Sequence, residues 1–171
     1  MTLRPVLFCT FFFSTLLFPY LVHGQDKTKV CHEAFQRMEC SWSGSQIIVS
    51  PTGLMDSLRV FANNRSEGDT ILHIYTNSSI MRIDSLRFHC SADAKSVMIN
   101  QDSWLITLAV NDGNDIIMVL ERKGKENGKD CQFRSRYTIG LNNYYVKKDV
   151  RHFGETDFSL RESLNMTKVR Q

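Results

Sequence analysis

The fold class this sequence predicts is all-β, an antiparallel sandwich of short strands. Short apolar runs recur between residues 46 and 139, with turn residues between them. Leu86, Phe88 and Cys90 alternate with Arg87 and His89, the period of two that a half-buried strand gives. Asp112-Gly113 joins two apolar runs, a strong local hairpin signal. Seven or eight such strands within about 100 residues fit two packed sheets.

The elements follow in order. Met1-Thr2-Leu3-Arg4 is a short basic start, and Val6 to Phe18 is almost wholly apolar. Val22 and Gly24 stand at −3 and −1 of a cleavage site before Gln25, so residues 1–24 read as a signal peptide. A signal anchor is the alternative, but Ser14, Thr15 and Pro19 break a run already shorter than the ~20 residues a spanning helix needs. The expected product is secreted and extracellular. The stretch from Cys31 to Cys40 carries Ala34-Phe35 and Met38 and fits a helical turn or a strand.

From Ser45 the signal is β. Gln46–Ser50 is stopped by Pro51 and Gly53; Leu58–Phe61, Thr70–Tyr75, Ser85–Cys90 and Val97–Ile99 follow. Trp104–Val110 and Ile116–Leu120 form the hairpin around Asp112-Gly113, and Gly124 with Asn127-Gly128 marks the turn before Cys131–Ile139. The expected core is Ile48, Leu58, Phe61, Ile74, Phe88, Val97, Trp104, Ile106, Leu108, Ile117 and Val119. The β domain is expected over 25–145. Residues 146–171 read as a polar C-terminal tail, or as a short helix within Asp157–Lys168 with Leu160, Leu164 and Val169 on one stripe.

Charge excludes some partners. The chain has 21 Lys+Arg and 18 Asp+Glu, and loss of the leader removes only Arg4, leaving a net charge of +2. That balance supports neither nucleic acid nor an anionic membrane as target. No later stretch is long and apolar enough for stable membrane insertion. Cys31, Cys40, Cys90 and Cys131 remain after cleavage, an even number in an oxidising compartment, and read as two disulfides with three connectivities open. No Cys-x-x-Cys pair occurs and His32, His73, His89 and His152 are scattered, so neither a metal nor a cofactor is expected.

Asn64, Asn77 and Asn165 each head an Asn-x-Ser/Thr sequon and are expected to carry N-glycans, Asn64 and Asn77 foremost because turn or strand-end sequence beside them should leave them exposed. No Gly-x-Ser-x-Gly, His-Glu-x-x-His or phosphate-cradling loop is present, and an enzyme is not expected. Trp104 opens an apolar strand and reads as core. Trp42 and the Tyr144-Tyr145 pair, flanked by Asn142-Asn143 and Lys147-Lys148, are the candidates for a partner-binding surface.

A longer pattern runs from Met38-Glu39-Cys40 and Gln46–Ser50, through Leu86–Ser91 and Val97–Thr107, to Lys129-Asp130-Cys131-Gln132-Phe133-Arg134. It resembles the N-terminal half-module of zona pellucida domains (ZP-N), as found in placenta-specific and oocyte-secreted proteins. The family's second cysteine, near Ser66–Thr70, is missing, and its tyrosine aligns with Ile106. The resemblance implies an immunoglobulin-like β-sandwich with Cys40–Cys131 and Cys31–Cys90 bonded. It also implies a non-catalytic recognition or adhesion module in an egg coat or reproductive tissue, bound to an extracellular or cell-surface protein. Two other functions fit a secreted β domain: a cytokine-like receptor ligand, and a carrier of apolar ligands, which needs an internal cavity.

Overall fold

The computed structural model describes residues 25–68, 70–77 and 82–170, with the side chains of residues 75, 77 and 82 outside the description. The leader assigned to residues 1–24 lies outside these residues. One helix is followed by ten strands: α1 (Lys27–Met38), β1 (Ser41–Val49), β2 (Met55–Glu67), β3 (Thr70–Asn77), β4 (Arg82–Cys90), β5 (Ser96–Ile99), β6 (Asp102–Asn111), β7 (Ile116–Glu126), β8 (Lys129–Ile139), β9 (Asn143–His152) and β10 (Ser159–Lys168).

Each strand pairs antiparallel with its neighbours in sequence, and β10 returns to pair with β1, so the sheet closes on itself. This overturns the sandwich. A closed barrel leaves no strand edge exposed, the liability that sandwiches must manage by other means. The closing strands are the segment expected to be a tail or helix. In β10, Leu160 and Leu164 are four residues apart, a spacing that suits a helix face and a regular strand alike, but a bulge between Leu160 and Glu162 takes Leu160 off the face of Leu164. Buried Met166 continues the Leu164 face at period two, with Leu164 opposite Gln46 of β1 and Met166 opposite Gly44. At Gly44 a Cβ would fall on the Asn165 carbonyl oxygen, so the glycine lets β1 and β10 approach at the seam.

The stretch left open between helix and strand is α1. Asp26 caps it, accepting from Thr28 N at 2.9 Å. Val30, Cys31, Ala34, Phe35 and Met38 lie on its buried face and join the barrel core, plugging one end. Arg37 ties the plug to the β6–β7 turn, donating to Asn114 O at 2.7 Å and Gly113 O at 3.3 Å. Trp42 Nε1 donates to Met38 O at 2.9 Å, fixing the helix end to the wall.

The hairpin around Asp112-Gly113 forms as expected, with Asn111 opposite Ile116 and Gly113 at φ +96°. Phe88, Val97, Trp104, Ile106 and Val119 are buried as expected. Elsewhere the inward face is the neighbouring residue. Val60 and Ala62 face in while Phe61 is exposed, and Ile116, Met118 and Leu120 fill the interior where Ile117 was expected. Ile74 is half-buried and Leu108 exposed, while Leu58 and Ile48 do face inward but lie toward the open end of the barrel, where Ile48 stays 40% exposed. In apolar runs with no alternation, sequence does not give the phase of the strand, and a one-residue slip exchanges the two faces.

The two-disulfide staple is also corrected. Cys31, Cys40, Cys90 and Cys131, the cysteines among the described residues, are all unbonded. Cys40 precedes β1 at the plugged end, beside the Ile139 end of β8, whereas Cys131 starts β8 opposite His152. Eight residue steps at ~3.3 Å separate Cys131 from Ile139, roughly 26 Å along the strand. Cys31 of α1 and Cys90 of β4 are neighbours: a hydrogen bond between the thiols, then burial, pushes the Cys31 thiol up.

Candidate functional site

Antiparallel register stacks the barrel interior in layers. Next to the plug lie Ile116, Ile139, Tyr144 and Met166, all buried. Below them come Met118, Tyr137, Val146, Leu164 and Gln46, in register across β7, β8, β9, β10 and β1. The next layer reads Leu120, Ser135, Lys148, Glu162 and Ile48. Here the interior turns polar. Glu162 accepts from Lys148 Nζ at 2.8 Å and from Gln46 Nε2 at 3.0 Å, so one carboxylate bridges three strands.

The space follows the same division. Between the plug and this layer is a cavity of only about 30 Å³, lined by Met38, His73, Phe88 and Tyr144 among others. Burial, and secondarily the Lys148 charge, pushes the His73 imidazole down to about 4. The Tyr144 hydroxyl lies 3.5 Å from its Nδ1.

Beyond Lys148 the barrel opens. A bay of about 800 Å³ is lined by Leu86, Trp104, Arg122, Phe133, Ser135 and Lys148, with Ile99–Asp102 at its rim. A second recess of about 360 Å³ shares Trp104, Phe133, Ser135 and Lys148 with it. Arg122 lies between two rings, 5.0 Å from the Trp104 centroid and 4.5 Å from that of Phe133. Its Nη2 is 3.4 Å from Asp102. Across the mouth, Arg161 of β10 donates to both oxygens of Glu126 at the end of β7, at 2.8 and 3.0 Å. That hydrogen-bonded arginine holds the Glu126 carboxyl below the usual range.

Three side chains lining the bay hold buried polar atoms with no hydrogen-bond partner in the protein: Trp104 Nε1, Arg122 Nε and Ser135 Oγ. Register places the three together. Arg122 is opposite Phe133, Ser135 is the next residue of β8 on the same face, and Trp104 of β6 stacks on Arg122.

The residues singled out from sequence sit elsewhere. Trp42 and Tyr144 are 0% and 1% exposed and meet edge-to-face at 5.0 Å, so both are core rather than surface anchors. Tyr145, 38% exposed, lies on the outer wall opposite Asn165. Asn64 is 2% exposed and donates to Met38 O at 3.0 Å, so its side chain points into the protein and not to the surface. Asn165 is exposed on the outer wall, and the Asn77 side chain lies outside the described residues. Arg122, Ser135 and Lys148 had no sequence signal of their own: each is a polar residue at an inward position of a strand whose phase was not legible.

Among the described residues no cluster of three or more His, Cys, Asp or Glu could hold a metal. Among the same residues no helix is long and apolar enough to cross a membrane.

No protein-family model matches the chain, and no curated protein does. Solved structures do. The chain is similar to Rv2717c from M. tuberculosis, with a TM-score of 0.60 at 11% identity, covering 82% of this chain and 98% of that one. It is also similar to the S-type phycobiliprotein lyase CPES from Guillardia theta, with a TM-score of 0.52 at 8% identity, covering 86% and 99%. The likeness is one of fold. It is a closed ten-stranded antiparallel barrel. The ZP-N resemblance is thereby overturned: its short motifs mark real strands, but those strands close into one barrel, and its implied egg-coat role goes with it.

Proposed function

We propose that this chain is a secreted binding protein that carries a small, largely apolar ligand in the open end of its barrel. One observation carries the reading: a bay of about 800 Å³ at the end of the barrel that α1 does not plug, where Leu86, Ile99, Trp104, Phe133 and Tyr137 share the lining with polar and charged side chains. Ligand sites of ~300–1,000 Å³ with apolar walls and a few polar groups are the common form of small-molecule site, and barrel mouths are a frequent place for them. The leader at residues 1–24 supports the secretory route. The proposed activity is binding, with no covalent step.

The test uses protein purified without denaturation from the medium of animal cells. Titration with Nile red, an uncharged apolar dye, should give saturable fluorescence enhancement at one site per chain. Trp104→Ala and Phe133→Ala, which strip the bay wall, should each weaken it about tenfold or more. Enhancement that is absent, or unchanged in both variants, would remove this reading.

A further inference from the structure

We infer that the bay selects a ligand ending in a carboxylate, received by Trp104 Nε1, Ser135 Oγ and Arg122; the inference rests on the binding reading above. Ser135 is 1% exposed and Trp104 9% exposed, and the side-chain polar atom of each lacks a protein partner. Native proteins rarely leave such atoms unmet, because a buried polar group without a partner retains the full cost of its desolvation. The three lie in one wall of the bay, each closed to solvent in this arrangement, so a ligand's polar end meets them when the side chains of that wall turn toward it.

Their chemistry sets what that end must be. An indole N–H and a guanidinium N–H only donate, and a serine hydroxyl can do so. The complementary group is an acceptor with more than one lone pair to offer. An ammonium is mismatched, and an alcohol offers a single oxygen where a carboxylate offers two.

Charge points the same way. The bay lining holds two cations, Arg122 and Lys148, against one carboxylate, Asp102. Asp102 lies against Arg122 Nη2, so Nε is the orphaned edge, and Lys148 is engaged by Glu162. Asp149 Oδ1 also makes no hydrogen bond, but it is paired with Lys147 Nζ at 3.4 Å, and Asp149 lines the second recess and not the bay. An anion stacked beside Arg122 in a partly desolvated site is held by charge-assisted hydrogen bonds, stronger than their neutral counterparts.

The test is competition at neutral pH between Nile red and three amphiphiles with the same tail: dodecanoate, dodecanol and dodecylammonium. Dodecanoate should displace the dye at a concentration at least tenfold below dodecanol, with dodecylammonium weakest. Ser135→Ala and Trp104→Phe should each cut the acid-over-alcohol preference several-fold without lowering Tm, since each deletes an unmet polar atom. Arg122→Gln should abolish the preference. If acid and alcohol displace the dye equally, if none of the three displaces it, or if the preference survives all three substitutions, the carboxylate site is overturned while dye binding stands. If the dye itself does not bind, the binding reading fails first.

Discussion

Lys148 of β9 donates to Glu162 of β10 at 2.8 Å, at the level where the barrel interior changes from apolar to polar. Both side chains are largely buried, with Lys148 34% and Glu162 22% exposed. The pair marks the boundary between the filled half and the open half. Lys148→Met leaves Glu162 half-desolvated with only Gln46 to bind, and should cost about 1–3 kcal/mol. Lys148→Met with Glu162→Leu should recover much of that loss, because two apolar side chains leave no stranded charge. Urea unfolding of the two variants measures the difference. A double variant no more stable than the single one would show that the pair itself holds the layer together.

Acid should destabilise the protein. The His73 imidazole is held down to about 4, mainly by burial, against 6.5 for the free side chain. The unfolded chain therefore binds the extra proton first. The stability this neutral histidine retains is fully present above about pH 6.5 and is lost as pH falls toward 4, to a total of about 3 kcal/mol. Glu126 acts in the same direction at lower pH, since Arg161 depresses its carboxyl and its contribution is lost on protonation. Unfolding free energy measured from pH 7.5 to 4 should fall in the wild type and fall less steeply in His73→Gln. Equal slopes in the two proteins would show that His73 is not the titrating group.

At the seam, Gly44→Ala should be strongly destabilising. The added methyl meets the backbone of Asn165 and Met166, which no rotamer change can relieve. Closure of the barrel depends on that approach of β1 and β10. A loss of more than about 3 kcal/mol, or no folded protein, is expected, within the range for overpacked positions that cannot relax. Circular dichroism and thermal unfolding measure it, and a variant within ~1 kcal/mol of wild type would contradict the geometry.

Glycan occupancy should follow burial. In protein secreted from animal cells, Asn165→Gln should remove one N-glycosidase-sensitive step in mobility, because Asn165 is exposed on the outer wall. Asn64→Gln should remove none, because Asn64 is buried against Met38 O. A glycan found on Asn64 in folded, monodisperse protein would show that this region opens.

Much of the β content was legible from local chemistry. Ser85–Cys90 announced itself by alternation, and the hairpins at Asp112-Gly113 and Asn127-Gly128 by residues that accept a positive φ. The helix was not legible because Cys31–Cys40 is too short for its apolar residues to separate two periodicities. The last strand was missed for a related reason: the spacing of Leu160 and Leu164 suits a helix and a regular strand alike, and Lys148 and Glu162 interrupt the inward faces of β9 and β10 with charge.

What the sequence determined by itself is therefore local: an all-β chain, the positions of its tightest turns, and a net charge close to neutral. Whether ten strands pack as two sheets or close as one depends on a contact between β1 and β10, more than a hundred residues apart. Period two is the same in a sandwich and in a barrel, so no pattern along the chain distinguishes them. The candidate site depends on closure as well. Trp104, Arg122, Ser135, Lys148 and Glu162 come from β6, β7, β8, β9 and β10, and become one lining only when the register of the closed sheet turns them inward together.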